Sequence, residues 1–473
     1  MRVESLTMNN CHWCEASAAR LAVAVCLALA IGSVCTGHAH GQLWQDNSYA
    51  VLYLGDFGNS VSWAWGMNNL GEVVGSSYTA EGHLHAFAWR NGKMQDLGTL
   101  GADGSFSRAR DVNDLGHIVG VSSTDTQGEK HAFLWQDGIM YDMGTLGYDN
   151  CEAWGINNVG QVAGTSAIWI DEDWKSRGFM WEDGEFRILD PLIPSGLSQA
   201  FNLNNLGQVI GWSTTDDSRG WAAVIWEADG STTDMGGGAQ TTYPEGINEL
   251  GQVVGQKNSH AFLWDNGTWY NLEERFGNYD ASAASVLNNL TQVVGWIGST
   301  AWTTDACYWD LEHGQVLLGK LLPPKSHWRL RYGNDINDLG QIAGTGNYKN
   351  NDWMESQAFL MSPVYPSFDL GLAVPGIAGQ VNTIAASNIE PGTKVYFTYS
   401  SHSGGTLIPG CDVTKNALQI ENAKVAGTAS ADADGVATLE GMVPGKMSGQ
   451  WLLFQAVIPG ECAISNLVVQ KFE

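Results

Sequence analysis

The sequence predicts an all-β protein, a seven-bladed β-propeller closed by its N-terminal strand and followed by a small immunoglobulin-like β-sandwich. Three observations carry this. A nonapeptide recurs seven times, as MNNLGEVVG (67–75), VNDLGHIVG (112–120), INNVGQVAG (156–164), LNNLGQVIG (203–211), INELGQVVG (247–255), LNNLTQVVG (287–295) and INDLGQIAG (336–344). Its first asparagines, Asn68, Asn113, Asn157, Asn204, Asn248, Asn288 and Asn337, are 45, 44, 47, 44, 40 and 49 residues apart, a period that suits a four-stranded propeller blade. Finally, the seventh copy lacks a fourth strand, and a matching strand, VLYLGDFG (51–58), stands ahead of the first copy.

Each period reads as strand, Asn-x-x-Gly turn, strand, loop, strand, tight turn, strand. The third strand ends in an aromatic in most copies: HAFAW (85–89), HAFLW (131–135), RGFMW (177–181), AAVIW (222–226), HAFLW (260–264), DACYW (305–309) and QAFLM (357–361). The tight turns are Asn91-Gly92, Asp137-Gly138, Asp183-Gly184, Asp229-Gly230, Asn266-Gly267 and His313-Gly314; Asn-Gly and Asp-Gly accept the positive φ a short hairpin needs. The fourth strand is clearest at QDLGTLG (95–101) and YDMGTLG (141–147). Pairing strand 51–58 with 357–362 removes an exposed edge and closes a ring, whereas an open solenoid would carry capping repeats.

Residues 1–39 read as a signal peptide. Arg2 and Arg20 precede the apolar run LAVAVCLALAIGSVC (21–35), and Gly37-His38-Ala39 offers small residues for cleavage before His40. Cys11-His-Trp-Cys14 has a redox or metal spacing but lies in this leader. After the repeats (48–362), Ser362-Pro-Val-Tyr-Pro366 is read as a linker (363–366). Residues 367–473 alternate in short runs such as KVYFTYS (394–400) and QWLLFQAVI (450–458), the pattern of a β-sandwich.

Charge limits the partners. The formal balance is −27 and the isoelectric point near 4.6, which disfavours nucleic acid and anionic membrane surfaces. No second hydrophobic stretch suggests a membrane span.

The segments HAFLW, INNLGQVVG-like and DLGTLG together resemble the HAF repeat of bacterial extracellular proteins over residues 48–362. The resemblance implies a secreted, propeller-like repeat protein and transfers no activity to any residue. The C-terminal part is similar to domains that end secreted proteins of planctomycetes and myxobacteria.

The repeated asparagines are read as turn caps. His85, His131 and His260 fall in equivalent places of different units and cannot share a metal. Asp96, Asp142, Asp190 and Asp234 are also equivalent and read as solvated strand-end aspartates; only a strand lining the central channel would let them hold Ca²⁺, and no cofactor is expected. Asp432-Ala-Asp434-Gly435 lacks the remaining ligands of a calcium loop and reads as a hairpin turn. Tryptophans outside the repeat pattern, Trp169, Trp174, Trp212, Trp221, Trp269 and Trp353, are the candidate ligand-binding residues, because flat rings beside Asp and Asn stack on pyranose faces. No catalytic residue is assigned: there is no serine elbow, metal-protease motif or phosphate loop. Of the four cysteines beyond the leader, Cys411 and Cys462 share the C-terminal part and are predicted to be bonded, leaving Cys151 and Cys307 as thiols.

The expected function is a secreted, non-enzymatic binding or scaffold protein of the cell surface or extracellular matrix. Its partner would be an extracellular polysaccharide or another surface protein. The alternative is a carbohydrate-active propeller, a glycosidase or polysaccharide lyase with carboxylates converging near the ring axis.

Overall fold

The computed structural model describes residues 49–473, except 103, 125–128, 171–172, 217–219, 237–241, 274–279, 299–303, 312, 349–355, 365, 409–410 and 412–416, and except the side chains of 168–174. The signal-peptide assignment and Trp353 lie outside the described residues. No α-helix occurs among the described residues, so none is long and apolar enough to cross a membrane.

Residues 49–363 form five four-stranded antiparallel sheets and one eight-stranded sheet, in which two further four-stranded units are joined by a single parallel bridge between Lys130 and Asn150. In the first six units the strands are consecutive in sequence, and the arrangement is propeller-like. The first strands (Gly58–Met67, Ser107–Val112, Asn150–Ile156, Ser198–Leu203, Thr242–Ile247, Ala281–Leu287 and Trp328–Ile336) touch one another in succession, and the last touches the first. They therefore face the axis, and the fourth strands lie at the periphery.

The seventh unit is completed by Tyr49–Tyr53, antiparallel to Gln357–Pro363, with Tyr49 opposite Pro363 and Tyr53 opposite Phe359. This strand is shorter than the expected 51–58. Gly55 and Gly58 take φ of +97° and +106°, and the Asp56 carboxylate accepts from Gly58 N (2.6 Å) and Ser60 N (3.2 Å), turning the chain into the first strand of the next unit.

The nonapeptide asparagines explain the repeat. Each is buried. Asn68 Oδ1 accepts from the N–H groups of Leu70 and Glu72 at 3.0 Å, capping its own turn, and its Nδ2 donates to the carbonyl of Asn113 at 3.0 Å in the next unit. The same link runs from Asn113 to Asn157, Asn204, Asn248, Asn288 and Asn337, and Asn337 returns to the carbonyl of Asn68 at 3.1 Å. A second ring follows one residue later. The N–H of Asn69 donates to Asp114 Oδ1, and so on through Asn158, Asn205, Glu249, Asn289 and Asp338 back to Asn69. Cap and inter-unit tie use one side chain, so neither role can be lost without orphaning a buried polar group.

The last glycine of the nonapeptide has a different cause. A Cβ on Gly75 would lie 1.9 Å from the Trp63 carbonyl and 2.9 Å from the Phe87 ring, and Gly120 and Gly344 are equally confined. This glycine sits opposite a bulge in the first strand and lets the Phe of the third strand pack beneath it. Trp89, Trp135, Trp226, Trp264 and Trp309, which end third strands, are buried.

Thr291 stands where the other turns have glycine and has φ of +60°. Left-handed backbone is unfavourable for a β-branched residue by about 1–2 kcal/mol. Here the hydroxyl also donates to Gln252 Oε1 of the preceding unit at 2.8 Å, which offsets part of that strain, about 1 kcal/mol. Thr291→Gly is therefore expected to raise stability by less than about 1 kcal/mol in the native chain, and by more in a Gln252→Ala background. Equal effects in the two backgrounds, measured by denaturant unfolding, would show that the hydrogen bond contributes nothing.

The C-terminal residues form a three-stranded sheet (Asp369–Leu370, Val381–Ser387, Ala437–Met442) and a five-stranded sheet around Lys394–Ser400 and Trp451–Ile458. Phe368, Ile384, Phe397, Phe454 and Phe472 belong to the core of these sheets. A further hairpin, Ser403–Leu407 with Ala417–Ile420, extends to the repeats. Its Ile408, Leu418 and Ile420 share one buried cluster with Ala50, Leu52 and Leu54 of the closing segment. Gly405 is required there, since a Cβ would lie 2.5 Å from the Val51 carbonyl. Cys411 and Cys462 are bonded, with Cα atoms 5.5 Å apart, and Cys151 and Cys307 are buried thiols.

Candidate functional site

Within a unit most positions repeat from copy to copy. The column three residues before each nonapeptide asparagine does not: it holds Trp65, Arg110, Trp154, Phe201, Glu245, Ser285 and Asn334. All seven line a cavity of about 390 Å³ on the axis, together with Tyr243. The Arg110 guanidinium lies over the Trp154 ring at 4.3 Å and the Trp65 ring at 5.3 Å, and its Nε donates to Glu152 Oε1 at 2.7 Å. Trp154 meets Phe201 edge to face at 6.3 Å. Four consecutive units thus contribute one continuous aromatic and cationic wall.

The next column holds Gly66, Asp111, Gly155, Asn202, Gly246, Val286 and Asp335. Gly66, Gly155 and Gly246 each precede a larger residue in the next unit, for steric reasons. A Cβ on Gly66 would come within 2.7 Å of the Arg110 carbonyl, and one on Gly155 within 3.0 Å of Asn202 Oδ1. Asp335 accepts from Met67 N (2.6 Å) across the unit boundary and from Ile336 N (2.7 Å). Asp111 accepts from Ile156 N (2.9 Å) and Val112 N (2.8 Å). Beyond these groups a second cavity of about 170 Å³ is ringed by the repeated asparagines, with Asp114, Glu249 and Asp338 in its wall.

Glu245 is exposed to the cavity, whose walls displace part of the surrounding water and so push its carboxyl up to about 7. Burial also raises Asp111 to about 6, held back by its two backbone donors. Asp335 is raised to about 8 by burial and then by the charge of Asp111. A carboxyl raised on folding binds its proton more tightly in the native state, so its contribution to stability is present at low pH and falls as pH rises from about 4 towards its folded value. The melting temperature of Glu245→Gln should therefore decline less between pH 5 and pH 8 than that of the native chain. Identical pH profiles would show that Glu245 ionises as it does in water.

The four aspartates whose hold on Ca²⁺ was conditional on their strand lining the channel are not on this axis. Asp96, Asp142 and Asp234 lie on peripheral fourth strands, because it is the first strand that faces the channel, and Asp190 follows the fourth strand of its unit. Asp96 and Asp142 pair instead with the repeat histidines, His85 Nδ1 to Asp96 at 2.9 Å and His131 Nδ1 to Asp142 at 2.8 Å. Asp96, Asp142 and Asp234 each accept from the glycine N–H two residues on, at 2.7–2.8 Å, which accounts for the Asp-x-Gly spacing. Where asparagine replaces the aspartate, at Asn271, His260 pairs with Glu273 at 2.7 Å. No group of three His, Cys, Asp or Glu among the described residues is placed to hold a metal ion. Asp432 accepts from Asp434 N and Val436 N in a hairpin turn.

The candidate tryptophans are dispersed. Trp212 and Trp221 form a tilted pair at 5.6 Å on the fourth unit. Trp269 packs on Phe262 at 4.8 Å, under Lys257 Nζ at 4.1 Å, on the fifth. Trp169 and Trp174 are opposite each other in backbone register at the end of a long hairpin in the third unit. Trp212, Trp221 and Trp269 are not among the described residues lining the axial cavity. The lining residues stand in a variable column inside the repeat, whereas the candidate tryptophans lie outside the repeat pattern.

A further regularity surrounds the asparagine rings. Leu70, Leu115, Val159, Leu206, Leu250, Leu290 and Leu339, one per turn, are each 45–66 % exposed.

No protein-family model matches this chain, and no curated protein matches it. Solved structures resemble it distantly. A fungal alcohol oxidase of the AA5 family, in complex with copper, is 11% identical, with 90% of this chain and 100% of that one covered and a TM-score of 0.35. TolB from Acinetobacter baumannii is 12% identical, with coverages of 62% and 80% and a TM-score of 0.33.

Proposed function

We propose that this is a secreted, non-enzymatic binding protein, a closed seven-bladed β-propeller of HAF-repeat type carrying an immunoglobulin-like C-terminal sandwich, and that its axial cavity holds part of an extracellular polysaccharide. One observation carries this reading. The repeat is uniform wherever it builds a unit and becomes unique to each unit where side chains face the axis, and there it presents Trp65, Trp154, Phe201 and Tyr243. A largely pre-formed cavity with aromatic walls and a few convergent polar groups is the usual form of a small-ligand site. The exposed Leu70–Leu339 ring supports the scaffold side of the reading, since contiguous apolar surface marks contact with another macromolecule.

The enzymatic alternative draws on the three axial carboxyls. Asp111 and Asp335 each hold two backbone amides, which commits both of their oxygens to the framework. That leaves Glu245 alone, whereas glycoside hydrolysis by acid and base takes a pair. Incubation with a panel of polysaccharides, scoring retention and release of reducing ends, tests both. Retention without release is expected. Release abolished by Glu245→Gln would establish the enzyme, and retention of nothing would overturn the saccharide reading.

A further inference from the structure

We propose that the ligand of the axial cavity is cationic, an oligosaccharide of unacetylated amino sugar whose ammonium group is received by Glu245. The proposal rests on the saccharide reading and adds a charge to it. Among the described residues lining the two axial cavities the single cation is Arg110, and it is already paired with Glu152 and stacked against Trp65 and Trp154. The same cavity is lined by Asp111, Asp335 and Glu245, with further carboxylates in the second cavity. Asp111 and Asp335 have neutral backbone partners, and the Glu245 carboxylate makes no hydrogen bond or ion pair among the described residues. Glu245 is thus an exposed carboxylate without a protein partner that lines a cavity with aromatic walls, open to a cation from solution. Acidic walls around a narrow cleft also concentrate cations from solution, and the whole chain, at −27, adds to that field. Tyr243, next but one to Glu245 in the same strand, and Phe201 from the preceding unit line the same cavity, so a sugar ring can lie on an aromatic face while its ammonium meets the carboxylate. A neutral sugar would leave Glu245 as it is; an anionic one would face six carboxyls.

Calorimetric titration with four probes separates the outcomes: a glucosamine trimer, its N-acetylated counterpart, a glucose trimer, and spermidine as an amine without a sugar ring. The glucosamine trimer should bind at least about tenfold tighter than the other three, and should weaken when salt is raised. Glu245→Gln, which removes no hydrogen bond, should reduce that affinity about tenfold while still unfolding in one cooperative transition. Acetylated or neutral trimers binding as well as the amine would overturn the proposal and leave the saccharide reading standing. Spermidine binding as well as the glucosamine trimer would keep the ammonium site and overturn the saccharide reading. Binding of none of the four would overturn both.

Discussion

A chain lacking residues 49–53 is expected to lose cooperative unfolding and to aggregate. Tyr49, Ala50, Val51 and Leu52 are all buried, and the strand pairs with Phe359 to Pro363 along the outer edge of Gln357–Pro363. Removing three large buried side chains alone forfeits roughly 5–9 kcal/mol, comparable with the whole stability of a typical domain. The deletion also uncovers a sheet edge and strips the C-terminal hairpin of the surface its Leu418 and Ile420 bury against. Circular dichroism during heating, with light scattering alongside, decides it. A sharp transition within a few degrees of the native one would mean that the seventh unit is stable with three strands.

The second large effect lies in the C-terminal part. Replacing Cys411 and Cys462 by alanine opens a loop of 51 residues. In the chain-entropy model this lowers stability by about 4 kcal/mol. Cys411 also packs against the cluster shared by the hairpin and the closing segment. The loss should therefore be felt in the repeats, not only in the C-terminal sheets. Urea unfolding followed by tryptophan fluorescence, which reports chiefly on the repeats, should shift to lower denaturant together with far-ultraviolet dichroism. A shift in dichroism alone would show that the two parts unfold independently.

The strand order within a unit, the turns and the pairing of the chain's first strand with its seventh repeat were legible from repetition alone, because each depends on residues within about 45 positions of one another or on a missing element. Boundaries were less so: Asp56 and two glycines end the closing strand earlier than the glycine pattern suggested. Val381–Ser387 and the pairing of Ser403–Leu407 with Ala417–Ile420 were not legible, the pairing because Ser403-Gly404-Gly405 has almost no side chain to pattern.

By itself the sequence determined the architecture of the repeat, since each capped turn and buried aromatic is a local requirement written seven times. Only the tertiary structure decided which strand faces the axis. It thereby moved Asp96 and its equivalents to the periphery and brought Trp65, Arg110, Trp154, Phe201 and Glu245 to one cavity. The physical reason is that convergence on an axis is a property of the closed ring. Residues about 45 positions apart become neighbours only when every unit is in place, and no spacing within one unit records it.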